Sequence, residues 1–204
     1  RRGVPTRPRE LRKMFPGVEH GNEAKAFANV MASIMDKEGM ELTPKIMEHI
    51  QMRLGAKTRL GQIIERYSTR LKSYGVTLKP WMIAVILYYY YPEELNDYPE
   101  EIKILGRILV ASEQFEACNN RERGSDYYLR EKETLSQTFS HLKILINEGI
   151  VSDREVGALS YIVSQGELNQ VIVEAREMPF GSTLPEEDIV LVKRLYPKLD
   201  MIDG

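Results

Sequence analysis

The sequence predicts an all-α fold, an irregular compact bundle of about eight helices preceded by a basic N-terminal arm. Three observations predict it. Apolar residues recur at three- and four-residue spacing along most of the 204 residues, the period of a helix with one buried face. Prolines and glycines fall between the periodic segments, where helices begin and end. No repeat of 20–50 residues and no sustained heptad pattern is present, which sets aside a solenoid or a coiled coil.

Residues 1–17 combine Arg1, Arg2, Arg7, Arg9, Arg12 and Lys13 with Pro5, Pro8 and Pro16, a composition that predicts a mostly extended basic arm. Residues 18–204 then form a single helical domain, or two lobes if the chain breaks near 92–98 or 119–126. Asn22 is a good N-cap for a helix that buries Phe27, Val30, Met31, Ile34 and Met35 and stops near Gly39. Thr43 followed by Pro44 opens a second helix through Ile46, Met47, Ile50 and Leu54 to Gly55. Leu60, Ile63, Ile64, Tyr67, Leu71 and Tyr74 mark a third, ending at Gly75. The run from Pro80 to Tyr91 is almost wholly apolar and predicts a central fourth helix.

Pro99 with Glu100 and Glu101 starts a helix carrying Ile102, Leu105, Ile108, Leu109 and Phe115, its acids favourably placed at the positive helix end. Residues 120–125 read as a loop, followed by a long helix with Tyr128, Leu135, Phe139, Leu142 and Ile146 that Gly149 stops. Ser152 with Glu155 forms a capping box for the next helix. Residues 168–175 read as helix despite the β-branched run Val171, Ile172 and Val173. Pro185 and three acids begin a last helix through Val192, Leu195 and Tyr196.

With 43% hydrophobic and 28% charged residues, the chain is too apolar for disorder, and no charge-free run reaches the roughly 18 residues needed to span a bilayer. A lone cysteine, Cys118, cannot pair within the chain, which fits a reducing, intracellular setting, cytoplasmic or nuclear. The net charge of −2 hides a division: residues 1–80 hold 16 Lys and Arg against 8 Asp and Glu, and residues 81–204 hold 12 against 22. Such asymmetry suits a basic surface for a polyanion, or the basic face of one copy meeting the acidic face of another.

Arg59, Arg66 and Arg70 are spaced by seven and four residues and share one face of the third helix, which the spacing sets opposite the apolar stripe. At 1.5 Å per residue that ridge is about 16 Å long, enough for two or three successive phosphates. Lys57, at the start of the same helix, would combine with free backbone N–H groups to hold an anion. The segment 55–58 lacks the adjacent Gly-Lys and the preceding strand of a nucleotide-binding P-loop. Residues Tyr88 to Tyr91 offer aromatic faces for bases but point all round a helix, so core packing is expected of most of them. His20, His49 and His141 have no second histidine at ligand spacing, and His20 with Glu23 reads as a surface pair; no metal site, cofactor or catalytic set is expected.

These features predict a self-associating, sequence-tolerant nucleic-acid-binding protein of nucleocapsid or packaging type. Its phosphate contacts would come from Arg7, Arg9, Arg12, Lys13, Lys57, Arg59, Arg66 and Arg70, and its partners would be nucleic acid, single-stranded by preference, and itself. The alternative is a helical protein-interaction module, an adaptor or scaffold, with methionines such as Met31, Met35, Met47 and Met52 lining an adaptable groove.

Overall fold

The computed structural model describes residues 7–120 and 134–195, with side chains through residue 191. Residues 1–6, residues 121–125 of the expected loop, Tyr128, Tyr196 and the tail after it lie outside the described residues, as do the side chains of Val192 and Leu195. Among the described residues there are ten α-helices, one 3-10 turn and no strand. The chain divides into two compact units, Arg1–Tyr98 and Pro99–Gly204.

The first unit opens with α1, Pro8–Met14, where the composition predicted an extended arm. The prolines do not break this helix. Pro8 takes its first turn, where the missing N–H costs nothing, and Pro16 falls after its end. What fixes the helix is Leu11, which is fully buried among Ala24, Ala28, Ile50 and Leu54, a burial that stabilises by about 2 kcal/mol. Helix α2, Glu23–Lys37, packs on α3, Pro44–Leu54. Thr43 caps α3 by accepting from the Ile46 N–H at 3.4 Å. The α2 stripe is only partly covered: Ala24, Ala28 and Met35 are buried, whereas Val30 and Ile34 are exposed. Small alanines, which the apolar spacing underweights, carry the close approach.

Gly55 ends α3 and also precedes α4, Ala56–Lys72. A Cβ at this position would lie 2.6 Å from the Gln51 carbonyl oxygen and 2.5 Å from its Oε1, so two helices meet here only because residue 55 has no side chain. Helix α4 rests on the core with one edge. Ala56 is buried, and Leu60 and Ile64 pack half-buried against Leu87 and Tyr91. Ile63 and Tyr67 remain 41% and 47% exposed.

The fourth helix is shorter and less central than its apolar run predicted. α5 spans Pro80–Leu87 with only Ala84 and Leu87 buried. The tyrosines form a turn, since Pro92 disfavours helical backbone at Tyr91. A 3-10 turn, Pro92–Leu95, closes the unit.

In the second unit α6, Glu100–Asn119, buries Gly106, Val110, Ala111 and Phe115, while Leu105, Ile108 and Leu109, expected inside, are 40–46% exposed. Helices α7, Leu135–Asn147, and α8, Asp153–Ser164, pack on α6. Thr134 and Gln137 cap α7 reciprocally: the Gln137 N–H donates to Thr134 Oγ1 at 3.2 Å, and the Thr134 N–H to Gln137 Oε1 at 2.8 Å. Gly149, at φ +71°, ends α7 with the Ile150 N–H donating to the Leu145 carbonyl at 2.9 Å. The segment read as helical despite its β-branched residues is helical, α9, Asn169–Ala175, followed by α10, Glu186–Leu195. Phe115, Leu135, Val163, Ile172, Val173 and Leu184 form the core of this unit.

Candidate nucleic-acid interface

The residues expected to contact phosphate separate into two groups. Arg7, Arg9 and Arg12 at α1 and Lys57 at the start of α4 turn inward. The Arg7 guanidinium lies 5.0 Å, and that of Arg9 5.8 Å, from the centre of the Tyr89 ring, and Arg9 is buried. Arg12 lies 4.9 Å over the Tyr91 ring and bonds to the carboxylates of Glu23 and Glu93. Lys57 holds Glu94 at 2.9 Å and lies 5.4 Å from the centre of the Tyr91 ring. These contacts commit Lys57, which the sequence assigned to an anion at the helix N-terminus, to a carboxylate of the same chain.

The second group faces out. Arg66 and Arg70 are exposed, Arg59 is half-buried and Lys13 is exposed. Neither Arg59, Arg66 nor Arg70 forms an ion pair among the described residues. At 3.6 residues per turn the three arginines fall within about 40° of one another around α4, and about 90° from the middle of its apolar stripe. The ridge therefore flanks the stripe, where the spacing alone had set it opposite. Its neighbours on that flank are Ile63 and Tyr67, the exposed part of the stripe, and the Arg66 guanidinium lies 5.4 Å from the centre of the Tyr67 ring. Tyr74, in the turn that closes α4, is 72% exposed.

Between the inward-turned cations lies a cluster that the sequence did not reveal. Glu23, expected at the surface beside His20, is fully buried. It accepts from Arg12, from the Gly21 N–H at 2.7 Å and from the Tyr91 hydroxyl at 3.2 Å. His20 lies 3.0 Å from Glu93, with its ring 5.3 Å from that of Tyr91. Burial pushes the Tyr91 hydroxyl well above its ordinary pKa of 10, and the Glu23 carboxylate beside it pushes the same way; Arg12 and the Lys57 N–H oppose them. The phenol is a fixed donor. The one sequence signal near this cluster was the pair of acids Glu93 and Glu94 that follows the tyrosine run, a pattern shared with many solvated turns.

The tyrosine run belongs to the fold. Tyr91 and Tyr88 are buried, and Tyr89 and Tyr90 meet edge to face at 5.1 Å between ring centres. The second unit carries its own buried charges. Arg176 bonds to Asp188, and donates to Asn119 Oδ1 at 2.9 Å. Asp188 also accepts from the Leu135 N–H at 3.0 Å. Glu155, also buried, accepts from the Ser152 N–H at 2.9 Å, from the Ser152 hydroxyl and from Arg107 at 3.1 Å. Burial works against its ionisation, but these bonds and the Arg107 charge hold its pKa below the ordinary carboxylate value.

An apolar groove of about 420 Å³ between α2 and α3 is lined by Phe27, Met31, Ile46 and Ile50, with Lys45 and His49 beside them. Among the described residues no group of three His, Cys, Asp or Glu side chains is placed to hold a metal ion, and no helix is long and apolar enough to cross a membrane. No family model, curated protein or solved structure matches the chain.

Proposed function

We propose that the chain is a self-associating, sequence-tolerant nucleic-acid-binding protein whose phosphate contacts are centred on Arg59, Arg66 and Arg70. The observation that carries this reading is the contrast between its two sets of cations. Arg12 and Lys57 are consumed by carboxylates of the first unit, while the α4 arginines stand along one flank with no ion pair among the described residues. Guanidinium groups spaced along a helix match successive phosphates without reading bases, so binding is expected to be salt-sensitive and tolerant of sequence. Self-association is supported by the opposite charges of the two units. Residues 1–98 hold 16 Lys and Arg against 11 Asp and Glu, a balance of +5, and residues 99–204 hold 12 against 19, a balance of −7.

The test is anisotropy of a labelled single-stranded oligonucleotide titrated with the full chain at low and moderate salt, with light scattering on the same samples. Salt-dependent binding that grows into larger particles is expected. Its absence at low salt would overturn the reading and leave a protein-interaction module, for which the groove of Phe27, Met31, Ile46 and Ile50 is the specific supporting feature.

A further inference from the structure

We infer that α4 is a reader of single strands, in which Tyr67 and Tyr74 stack bases while Arg59, Arg66 and Arg70 hold the phosphates between them. The inference rests on the nucleic-acid reading above and adds to it a physical basis for preferring single strands, in two residues that the sequence had placed in the core.

Its starting point is an expectation the structure reverses. Tyr67 and Tyr74 continue the apolar stripe of α4, yet they are 47% and 72% exposed, and Ile63 between them and the arginines is 41% exposed. The Arg66 guanidinium lies over the Tyr67 ring, and a large part of each ring stays open to solvent. An exposed aromatic ring next to exposed guanidinium groups is the pairing that unpaired nucleic acid requires. The base offers a π-face to the ring and the phosphate a charge to the arginine, and neither contact depends on base identity.

Spacing agrees. Tyr67 lies in the last turns of α4 and Tyr74 in the turn that follows its end at Lys72, about 10 Å apart when the rise of 1.5 Å per residue is carried through that turn. That separation lies within the reach of neighbouring or next-neighbouring nucleotides of an extended strand. Arg66 and Arg70 bracket Tyr67 on the same flank, so a phosphate on either side of a stacked base meets a cation. A duplex cannot use this surface in the same way, because its base faces are stacked on each other and only phosphates, sugars and base edges are presented. The basic flank suits any anion, and the exposed tyrosines select one that carries planar groups, a nucleic acid over an acidic protein face.

The experiment measures binding of the full chain to a fluorescein-labelled 12-nucleotide oligo(U) and to a 12-base-pair duplex by anisotropy. Wild type is compared with Tyr67→Ala/Tyr74→Ala, Tyr67→Phe/Tyr74→Phe and Arg59→Ala/Arg66→Ala/Arg70→Ala, each checked for an unchanged helical spectrum. Loss of both rings is expected to weaken oligo(U) binding about 30-fold or more, with the salt slope preserved and duplex binding unchanged; phenylalanine is expected to retain it. The arginine variant is expected to weaken both probes and flatten the salt slope. If the alanine rings bind oligo(U) like wild type while the arginine variant fails, stacking is overturned and phosphate binding stands. Should wild type bind neither probe, both readings fall together. Tighter binding to phosphatidylserine vesicles than to oligo(U), lost in the tyrosine variant, would overturn the inference in favour of a lipid surface.

Discussion

Replacing Glu23 with glutamine removes one charge from the best-buried polar cluster of the first unit while keeping its volume. Glu23 is 0% exposed, and its two oxygens serve three donors: Arg12, the Gly21 N–H and the Tyr91 hydroxyl. An amide offers one acceptor oxygen and turns two N–H donors into the same space, so at least one of the three loses its partner, and the Arg12 charge loses half its compensation. Breaking a buried ion pair from one side costs about 3–5 kcal/mol. Here the lower end applies, because Arg12 keeps Glu93, a carboxylate with 35% of its side chain exposed. A loss of about 3 kcal/mol is therefore expected, which at an ordinary urea slope of about 2 kcal/mol per molar shifts the midpoint by about 1.5 M. The single tryptophan, Trp81, lies in α5 of this unit, so its fluorescence follows the first unit while circular dichroism follows both. A midpoint change under about 0.25 M, equivalent to about 0.5 kcal/mol, would refute the reasoning, since such a value belongs to a solvated pair. The double variant Arg12→Met/Glu23→Leu should cost less than the sum of its singles, because it removes both charges together.

Three further outcomes follow from named contacts. Asp188→Asn leaves the buried Arg176 charge without its carboxylate and is expected to cost the second unit about 3 kcal/mol, read by thermal unfolding with the Trp81 signal unchanged. Glu155 has a folded pKa below its unfolded one, so its contribution is present above the unfolded value of about 4.3 and is lost as pH falls through the lower folded value; Glu155→Gln should flatten the stability profile of the second unit in that acid window, as read by urea midpoints at pH 3 to 6. Gly55→Ala forces a Cβ onto the Gln51 carbonyl and is expected to lower the first unit's stability by about 1–3 kcal/mol, whereas Gly61→Ala, whose Cβ meets open space, should be neutral or stabilising on the helix-propensity scale.

The helices were legible because their signals are local. Thr43 with Pro44, Ser152 with Glu155 and the glycines after α4 and α7 act on backbone groups a few residues away, and no tertiary context was needed to read them. Depth of burial was not legible. An apolar stripe states which side of a helix faces inward, not how far a neighbour covers it. Leu105, Ile108, Ile63 and Tyr67 therefore read as core and are exposed, while Ala28, Ala84 and Ala111 do the close packing. The basic arm misled for a related reason: three prolines in seventeen residues argue against helix on average, but their positions at the two ends of α1 do not. Charge was the hardest feature to place. Nothing in the spacing of Arg7, Arg9 and Arg12 separates a cation bound for phosphate from one bound for Tyr89 or Glu93, because the distinction lies in partners some eighty residues away. Arg59, Arg66 and Arg70 were found as a ridge because helical periodicity alone groups them.

Arg12 and Glu93 are 81 positions apart, and the bond between them fastens the first helix of its unit to the last turn. During vectorial synthesis Arg12 and Glu23 are joined to the chain early, whereas Tyr91, Glu93 and Glu94 are added only as the unit's final residues are made. Until then the site that buries Glu23 lacks its phenol donor and half its charge balance, and water serves those groups better than the half-built core does. The Glu23 cluster is complete only when residues from both ends of the unit are present, so the stability it contributes is expected only once the C-terminal turn has been added.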